Sequence, residues 1–168
     1  MTKDLIRAES LTMHFPLHKG LLANLFARQK AFVRAVDGVS FTIRKGEVLG
    51  LVGESGSGKT TTGRLILRLL EPTSGEVFYR GRSITSYTGI EMDDIREKMQ
   101  VIFQDPYASL SPRMSIGKAI AHPLEIHGIA AGSLARGMAE TMMEKVGLSP
   151  ASFLYRKYPH QVSGGQRQ

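Results

Sequence analysis

The chain has 168 residues, of which 42% are hydrophobic and 22% charged, and it contains no cysteine. This length suits one domain with a sizeable core, and the composition is typical of a soluble globular protein. The lack of cysteine excludes disulfides, thiolate metal sites and a cysteine nucleophile. The net charge is +7, but the basic residues are scattered and lack the aromatic interleaving that single-strand nucleic-acid binders use. We expect a basic surface that suits an anionic ligand, and no nucleic-acid partner.

No segment has the composition of a targeting or membrane-spanning element. The first residues lack the apolar core of a signal peptide, and no apolar run reaches transmembrane length. We therefore expect a cytosolic protein whose contact with a membrane, if it has one, is peripheral.

Two strands are predicted at the start of the chain. Residues 5–15 form the first and end at Pro16, and residues 32–43 form the second, which is followed by a turn at residues 44–46. Residues 17–30 are less regular, and their leucines predict one face of a short packed helix. Contact of that face with a partner or a membrane is the alternative. We expect the two strands to form an antiparallel layer beside the core.

The segment Gly53 to Thr60 fits G-x-x-x-x-G-K-[ST], the phosphate-binding P-loop. Residues 47–52 predict a buried strand before it, and residues 60–70 predict an amphipathic helix after it. The alternative is a glycine- and serine-rich loop that binds no ligand, but such a loop would not need a strand before it and a helix after it. Lys59 is predicted to bind the β- and γ-phosphates, and the Thr60 hydroxyl to ligate Mg²⁺. The predicted ATP-binding positions of the segment are Gly53, Glu54, Ser55, Gly56, Ser57, Gly58, Lys59, Thr60 and Thr61.

The remainder of the chain predicts short elements and then a helical block. Residues 71–75 stop the helix, residues 76–79 predict a strand with a tight turn after it, and residues 92–99 predict a charged helix. A buried strand is predicted at residues 101–103, a polar loop at 104–113, and helices at 116–127, 133–146 and 150–157. In the middle helix of these three, residues recurring every fourth position predict a core face: Leu134, Met138, Met142 and Val146.

A second glycine-containing motif, Val-Ser-Gly-Gly-Gln, occupies residues 162–166. By itself it is a weak signal. Following a P-loop, a strand that ends at Gln104 and a helical block, it resembles the LSGGQ signature of ATP-binding cassette (ABC) transporters, with valine in place of leucine. The resemblance covers essentially the entire chain. Residues 35–41, 52–59, 103–110 and 158–160 resemble the dipeptide/oligopeptide importer branch, which also includes nickel and glutathione importers.

The resemblance implies an α/β fold of the P-loop NTPase type. It implies a RecA-like core with an N-terminal antiparallel β layer in residues 1–103, and a helical subdomain in residues 104–168. It also implies the ATP-binding subunit of an importer, in which binding and hydrolysis of ATP with Mg²⁺ drive uptake of peptides or related solutes. The expected location is the cytoplasmic face of the membrane.

Several site residues follow from the resemblance alone. Phe15 is expected to stack on adenine, with Phe32 as a competitor and an ordinary core position as the alternative. Gln104 is expected to ligate Mg²⁺ or the attacking water and to sense the membrane partner. The signature residues are expected to cap a helix and to serve the ATP held by a second, head-to-tail subunit: Ser163, Gly164, Gly165 and Gln166.

The resemblance also implies partners in the membrane. The surface after Gln104, including Tyr107, Leu110 and Met114, is expected to contact a permease subunit, and a solute-binding protein is an indirect partner. His122 and His160 each lie beside a proline without a second ligand at metal-binding spacing, which favours structural roles.

Family members carry a later strand that ends in Asp and Glu, and further on a switch histidine. Neither follows in this sequence, and Asp93 and Asp94 lack the preceding apolar strand. We therefore expect a fragment with an incomplete core, which by itself hydrolyses ATP no faster than a Lys59→Ala variant. The alternatives are a non-catalytic nucleotide-binding fragment and a soluble cassette protein of DNA repair or translation. The absence of G-x-G-x-x-G disfavours a Rossmann dehydrogenase.

Overall fold

The computed structural model describes residues 4–17, 32–105 and 109–167. The chain divides into two compact units, Met1–Gln100 and Val101–Gln168. The predicted helix at residues 17–30 falls almost wholly outside the described residues. No helix among those residues is long and apolar enough to cross a membrane.

The first unit is built on a four-stranded antiparallel sheet with the order β2-β1-β3-β4. Its strands are β1 (Asp4–Pro16), β2 (Phe32–Arg44), β3 (Ser74–Tyr79) and β4 (Arg82–Ser83). The long strand β1 lies between its neighbours, and Ala8 is paired with both Phe41 and Val77. The predicted N-terminal antiparallel layer is confirmed, with β3 and β4 added to it.

A bulge in β1 sets which side chains reach the core. The pairing of β1 with β2 shifts between Ala8 and Leu11, and Ser10 has a φ of 46°. Ala8 and Leu11 are both buried although they are three residues apart. Since strand side chains alternate with a period of two, the extra residue is what brings Leu11 to the same face as Ala8.

Two helices cover one side of this sheet. They are α1 (Lys59–Ile66) and α2 (Ile90–Lys98). The buried cluster that joins sheet and helices consists of Ala8, Leu11, Val36, Leu65, Val77, Ile84, Met92 and Ile95. The acids Asp93 and Asp94 lie in the first half of α2, near the end where the helix dipole favours negative charge.

The predicted strands at residues 47–52 and 101–103 are wrong. Neither segment belongs to a strand in the structure, and the most exposed members are Val48 (95%), Val52 (97%) and Ile102 (93%). A strand is held by hydrogen bonds to a neighbouring strand. Among the described residues, neither segment has such a neighbour. The described sheet is therefore the antiparallel layer, and these two apolar segments lie outside it.

The second unit is helical. Its elements are α3 (Ile116–Ile126), α4 (Gly132–Lys145), α5 (Ala151–Leu154), a 3-10 turn (Pro159–Gln161) and α6 (Gly164–Arg167). Two apolar clusters join them. One is centred on Ile116, Met143 and Leu154, and the other is made of alanines from α3, α4 and the turn between them. The predicted helical block is confirmed, but the helix predicted at residues 150–157 is only the four-residue α5 (Ala151–Leu154).

The predicted core face of α4 is off by one residue. Leu134, Met138, Met142 and Val146 are 63%, 41%, 52% and 66% exposed. The buried stripe is instead Ala135, Ala139 and Met143, at 0%, 1% and 0%. Both sets recur every fourth residue, so periodicity alone does not distinguish them. The small alanines let α4 approach its neighbours closely, whereas the larger side chains on the adjacent stripe would hold it away.

Candidate nucleotide-binding site

The P-loop lies against β2 and turns directly into α1. Gly58 precedes the helix with a φ of 89°, and a Cβ added there would lie 2.1 Å from the carbonyl oxygen of Ala35. A Cβ at Gly53 would lie 2.6 Å from Ser57 Oγ. Gly58 therefore lies too close to the backbone of Ala35 to carry a side chain, whereas at Gly53 the close atom is a serine hydroxyl, which can rotate away. The sequence pattern predicted these glycines, but only the structure identifies Ala35 as the residue that Gly58 packs against.

Lys59 lies over the loop that it belongs to. Its Nζ donates to the carbonyl oxygens of Gly53 at 2.8 Å and Glu54 at 2.7 Å, and to Ser57 Oγ at 3.4 Å. All three acceptors are neutral, so the ammonium charge is not cancelled by its partners. These hydrogen bonds hold the ammonium against the backbone of the P-loop, and a phosphate bound by the loop would form a stronger, charge-assisted hydrogen bond with it.

The first turn of α1 presents open hydrogen-bond donors. Its first three N–H groups, those of Lys59, Thr60 and Thr61, have no acceptor among the described residues, because the first bond of the helix runs from Thr62 N to Gly58 O at 2.8 Å. No acidic residue occupies this turn. Open donors and the positive end of the helix dipole make an anion-binding surface.

The Thr60 hydroxyl is suited to a magnesium ion bound with the phosphates. Thr60 is exposed, and its hydroxyl is not hydrogen bonded within the described part of the chain. Mg²⁺ prefers oxygen ligands and is usually held by few protein groups together with phosphate and water. The residues present therefore fit both a triphosphate and its metal.

Phe15 and Phe32 occupy the open end of the β1–β2 pair. Phe15 is 36% exposed and lies opposite Val33, whereas Phe32 is 50% exposed and lies opposite Pro16. Phe32 already contacts the His14 ring, with centroids 6.4 Å apart. No ring contact is made by Phe15 with another described residue. Phe15 is thus outside the buried core, and its ring is the freer of the two for stacking.

Gln104 lies in the second unit, at an exposed bend. Its carboxamide makes no hydrogen bond within the described ranges. The predicted docking surface that follows it is described only in part, since Tyr107 lies outside those ranges. Leu110 and Met114 are half-buried.

The signature segment forms a reciprocal helix cap. Ser163 N donates to Gln166 Oε1 at 3.0 Å, and Gln166 N donates to Ser163 Oγ at 3.3 Å. This is the capping-box arrangement, and it confirms the predicted cap. A Cβ added to Gly164 or Gly165 would have no described atom within 4 Å apart from its chain neighbours, and both glycines are exposed.

The two histidines considered as metal ligands have other neighbours. His160 stacks on Tyr158 with ring centroids 5.8 Å apart, and His122 Nδ1 lies 4.0 Å from Glu125 Oε2. In the described part of the chain, no group of three or more histidine, aspartate and glutamate side chains is arranged to hold a metal ion.

Similar proteins agree with this architecture. The glutathione import ATP-binding protein GsiA of Salmonella paratyphi A is 45% identical over 166 residues, which are 99% of this chain and 26% of that protein. GsiA of Escherichia coli (strain K12) is 46% identical over the same shares. The chain thus spans about a quarter of the length of these relatives, 26%. The solved dimer of the ATP-binding cassette MJ0796, bound to ADP and Pi, has a TM-score of 0.74 at 25% identity and covers 96% of this chain and 65% of that one.

Three features define a P-loop nucleotide-binding cassette. They are an antiparallel layer, a glycine-rich loop at the start of a helix, and a helical unit with a capped signature. A family model described as "ABC transporter" matches residues 36–168. The chain therefore belongs to the ABC transporter family. The predicted family and the α/β P-loop fold class are confirmed.

Proposed function

We propose that this chain is the ATP-binding part of an importer subunit, and that it couples ATP binding and hydrolysis to the uptake of a peptide-like solute. The observation that carries the proposal is the P-loop, in which the Lys59 ammonium bonds only neutral oxygens and the first three N–H groups of α1 have no acceptor among the described residues. The relatives at 45% and 46% identity are named for glutathione import. Glutathione is a small anionic peptide, which agrees with the importer branch that the sequence resembles.

Each part of the loop has its own task in this proposal. The segment Gly53 to Thr61 surrounds the phosphates of ATP, Lys59 binds the β- and γ-phosphates, and Thr60 ligates Mg²⁺. When bound, the metal supplies neutralisation of charge on the transferred phosphoryl group. Phe15 stacks on the adenine ring. Gln104 orients the attacking water or ligates the metal.

The signature segment supports a second subunit in the same proposal. No described residue outside the immediate chain neighbours comes within 4 Å of a Cβ added at Gly164 or Gly165, which leaves room for another molecule to approach the backbone there. We infer that this molecule is the ATP held by a second ABC ATPase subunit in a head-to-tail dimer. Each composite site then takes its P-loop from one subunit and its signature from the other.

The remaining partners are membrane permease subunits and, indirectly, a solute-binding protein. The loop after Gln104 is proposed to contact a permease subunit, with Leu110 and Met114 at its described end. This arrangement places the chain peripherally at the cytoplasmic face of the membrane.

The test uses the complete transporter in proteoliposomes. We expect ATP-dependent uptake of glutathione or another short peptide, which Lys59→Ala abolishes. Arg64→Ala is the matched control, because Arg64 is an exposed cation at the other end of α1. ATP hydrolysis without uptake of any of these solutes would overturn the importer assignment. Equal uptake by the Lys59→Ala transporter would overturn the site itself.

A further inference from the structure

A basic cleft lies on the second unit, between α4 and the segment that runs from α5 to the 3-10 turn. Its volume is about 630 Å³, which falls in the range of small-molecule sites. The P-loop belongs to the first unit, and the predicted site residues do not line this cleft. We call it the basic cleft below.

Three cations line the basic cleft: Arg136 from α4, and Arg156 and Lys157 from the segment after α5. No aspartate or glutamate among the described residues lines it. The two acids on the same helix are already engaged, since Glu140 accepts from Arg136 Nε at 2.8 Å and Glu144 accepts from Ala151 N at 2.7 Å. Glu140 offsets one of the three charges, so the cleft keeps an excess of positive charge.

Aromatic rings hold two of these cations in place. The Lys157 ammonium lies 4.5 Å from the centroid of the Phe153 ring, and the Arg136 guanidinium lies 5.0 Å from that of Tyr155. Such contacts restrict long side chains before a ligand arrives. Arg156 is exposed and makes no hydrogen bond or ion pair with another described residue, so its fork of donors is available.

Neutral donors complete the lining. Gln161 Oε1 accepts from Tyr158 N at 2.9 Å, which leaves the amide N–H₂ as the free end of that side chain. Ser152 adds a hydroxyl. Arginine, lysine, an amide N–H₂ and a hydroxyl together form a donor-rich surface, which is what a multiply charged oxyanion requires.

We propose that the basic cleft binds the phosphate group of a second ligand, separate from the ATP of the P-loop. Phosphate is favoured over a single carboxylate because it carries more charge and more acceptor oxygens, matching several cations at once. The cleft is larger than a phosphate ion, and Phe153 and Tyr158 supply apolar walls for the remainder of the ligand. The source of the phosphate is a small phosphorylated molecule or a phospholipid headgroup.

The direct test is a titration of the ¹⁵N-labelled chain with inorganic pyrophosphate, followed by the amide signals of Ser152, Tyr158 and Gln161. We expect these signals to shift along one binding curve, separate from that of the P-loop amides. A failure of the P-loop to bind would appear only in the curve of the P-loop amides. The proposed ATP site and the proposed phosphate site are therefore tested independently. Absence of any shift at the cleft, with pyrophosphate and with vesicles containing phosphatidic acid, would overturn the proposal.

Charge variants show whether the cleft cations are responsible. The double change Arg156→Gln with Lys157→Gln is expected to weaken cleft binding at least tenfold. Lys118→Gln with Arg113→Gln removes the same charge from exposed positions outside the cleft and is expected to leave binding unchanged. Arg156→Lys with Lys157→Arg keeps the charge and should restore most of the affinity, which separates ligand binding from a folding defect. Equal weakening by the two glutamine pairs would overturn the proposal.

The ligand class is decided by competition. Polyglutamate of matched charge is expected to displace pyrophosphate poorly, and equal displacement would contradict a phosphate site. Binding of free pyrophosphate identifies a soluble phosphorylated ligand. Binding only to vesicles that contain phosphatidic acid, and not to phosphatidylcholine vesicles, identifies a headgroup as the source.

Discussion

The P-loop and the signature segment are both glycine-containing turns that lead into a helix, but their glycines differ in backbone conformation and in the space around them. Gly58 has a φ of 89°, and an added Cβ would lie 2.1 Å from Ala35 O. Gly164 and Gly165 have no positive φ, and an added Cβ would have no atom within 4 Å. The P-loop glycine is required by the chain's own packing. No contact in the described part of the chain gives the signature glycines such a reason.

The two helices differ in the same way. The helix α1 has eight residues and buries Thr62 and Leu65 in the core of the first unit. The helix α6 has four residues, none of which is buried, and is held at its start by the Ser163–Gln166 cap. Local packing therefore explains the P-loop glycine, whereas no contact among the described residues explains the glycines of the signature. The predictions below test this contrast.

The largest effect is expected for Gly58→Ala. The new Cβ combines a left-handed backbone with a backbone clash, and together these should lower the free energy of unfolding by about 3 kcal/mol. Chemical denaturation measures the loss. Two further glycines separate the causes. Gly56 has a φ of 84° but no clash, and Gly63 has neither a positive φ nor a clash. Gly56→Ala should cost about 1 kcal/mol, and Gly63→Ala should be neutral or stabilising. A Gly58→Ala protein as stable as the Gly63→Ala protein would remove the packing argument.

Lys59→Ala should act on ligand binding more than on stability. The ammonium bonds neutral oxygens of its own loop, so the loss for the free chain is small, while the bound phosphates lose a charged partner. We expect the Kd for Mg·ATP to rise at least tenfold, or about 1.4 kcal/mol. Calorimetric titration measures this, with Arg64→Ala as the control of equal charge. Unchanged affinity in the Lys59→Ala chain would contradict the P-loop assignment.

A smaller effect is expected for Ser163→Ala, which removes the acceptor for Gln166 N. Loss of a helix cap typically lowers stability by about 1 kcal/mol. Ser163→Thr keeps the hydroxyl and should retain most of the stability that the cap provides. Denaturation curves of the two variants provide the comparison, and identical curves would show that the cap contributes nothing.

The smallest effect on stability is expected for Gly164→Ala. With open space and no positive φ, the change should lie within about 0.5 kcal/mol of the parent. The same methyl should weaken ATP-dependent association of two copies, because it occupies the space proposed for the partner's nucleotide. Sedimentation with a non-hydrolysable ATP analogue measures the association. If Gly164→Ala destabilises the chain as strongly as Gly58→Ala, the contrast between the two segments is wrong.

Part of the site could be predicted from local pattern. The P-loop positions are specified by residue type and spacing. Lys59 lies over the loop because it is close in sequence to Gly53 and Glu54, whose carbonyl oxygens it contacts. The capping role of Ser163 is likewise a local matter, since both hydrogen bonds span three residues. Interactions between near neighbours need no knowledge of the remainder of the fold.

Other features depended on contacts between distant residues. Periodicity could not identify the stripe that α4 buries, because Met142 and Met143 each belong to a series of apolar residues spaced four apart. Only packing against α3 and α5 selects the series that contains Met143. The apolar segments at 47–52 and 101–103 have strand-like composition, yet composition does not provide a neighbouring strand. The carbonyl oxygen of Ala35 leaves no room for a side chain at position 58, but nothing in the sequence around Ala35 predicts this contact.

By itself, the sequence determined the family, the phosphate-binding loop and the order of most strands and helices, because these follow from local residue types at fixed spacing. Only the tertiary structure decided which face of α4 is buried, which apolar segments join a sheet, and that three cations from α4 and the segment after α5 surround one cleft. The physical reason is that burial, strand pairing and clustering of charge are properties of groups far apart in the chain, which a linear pattern does not bring together.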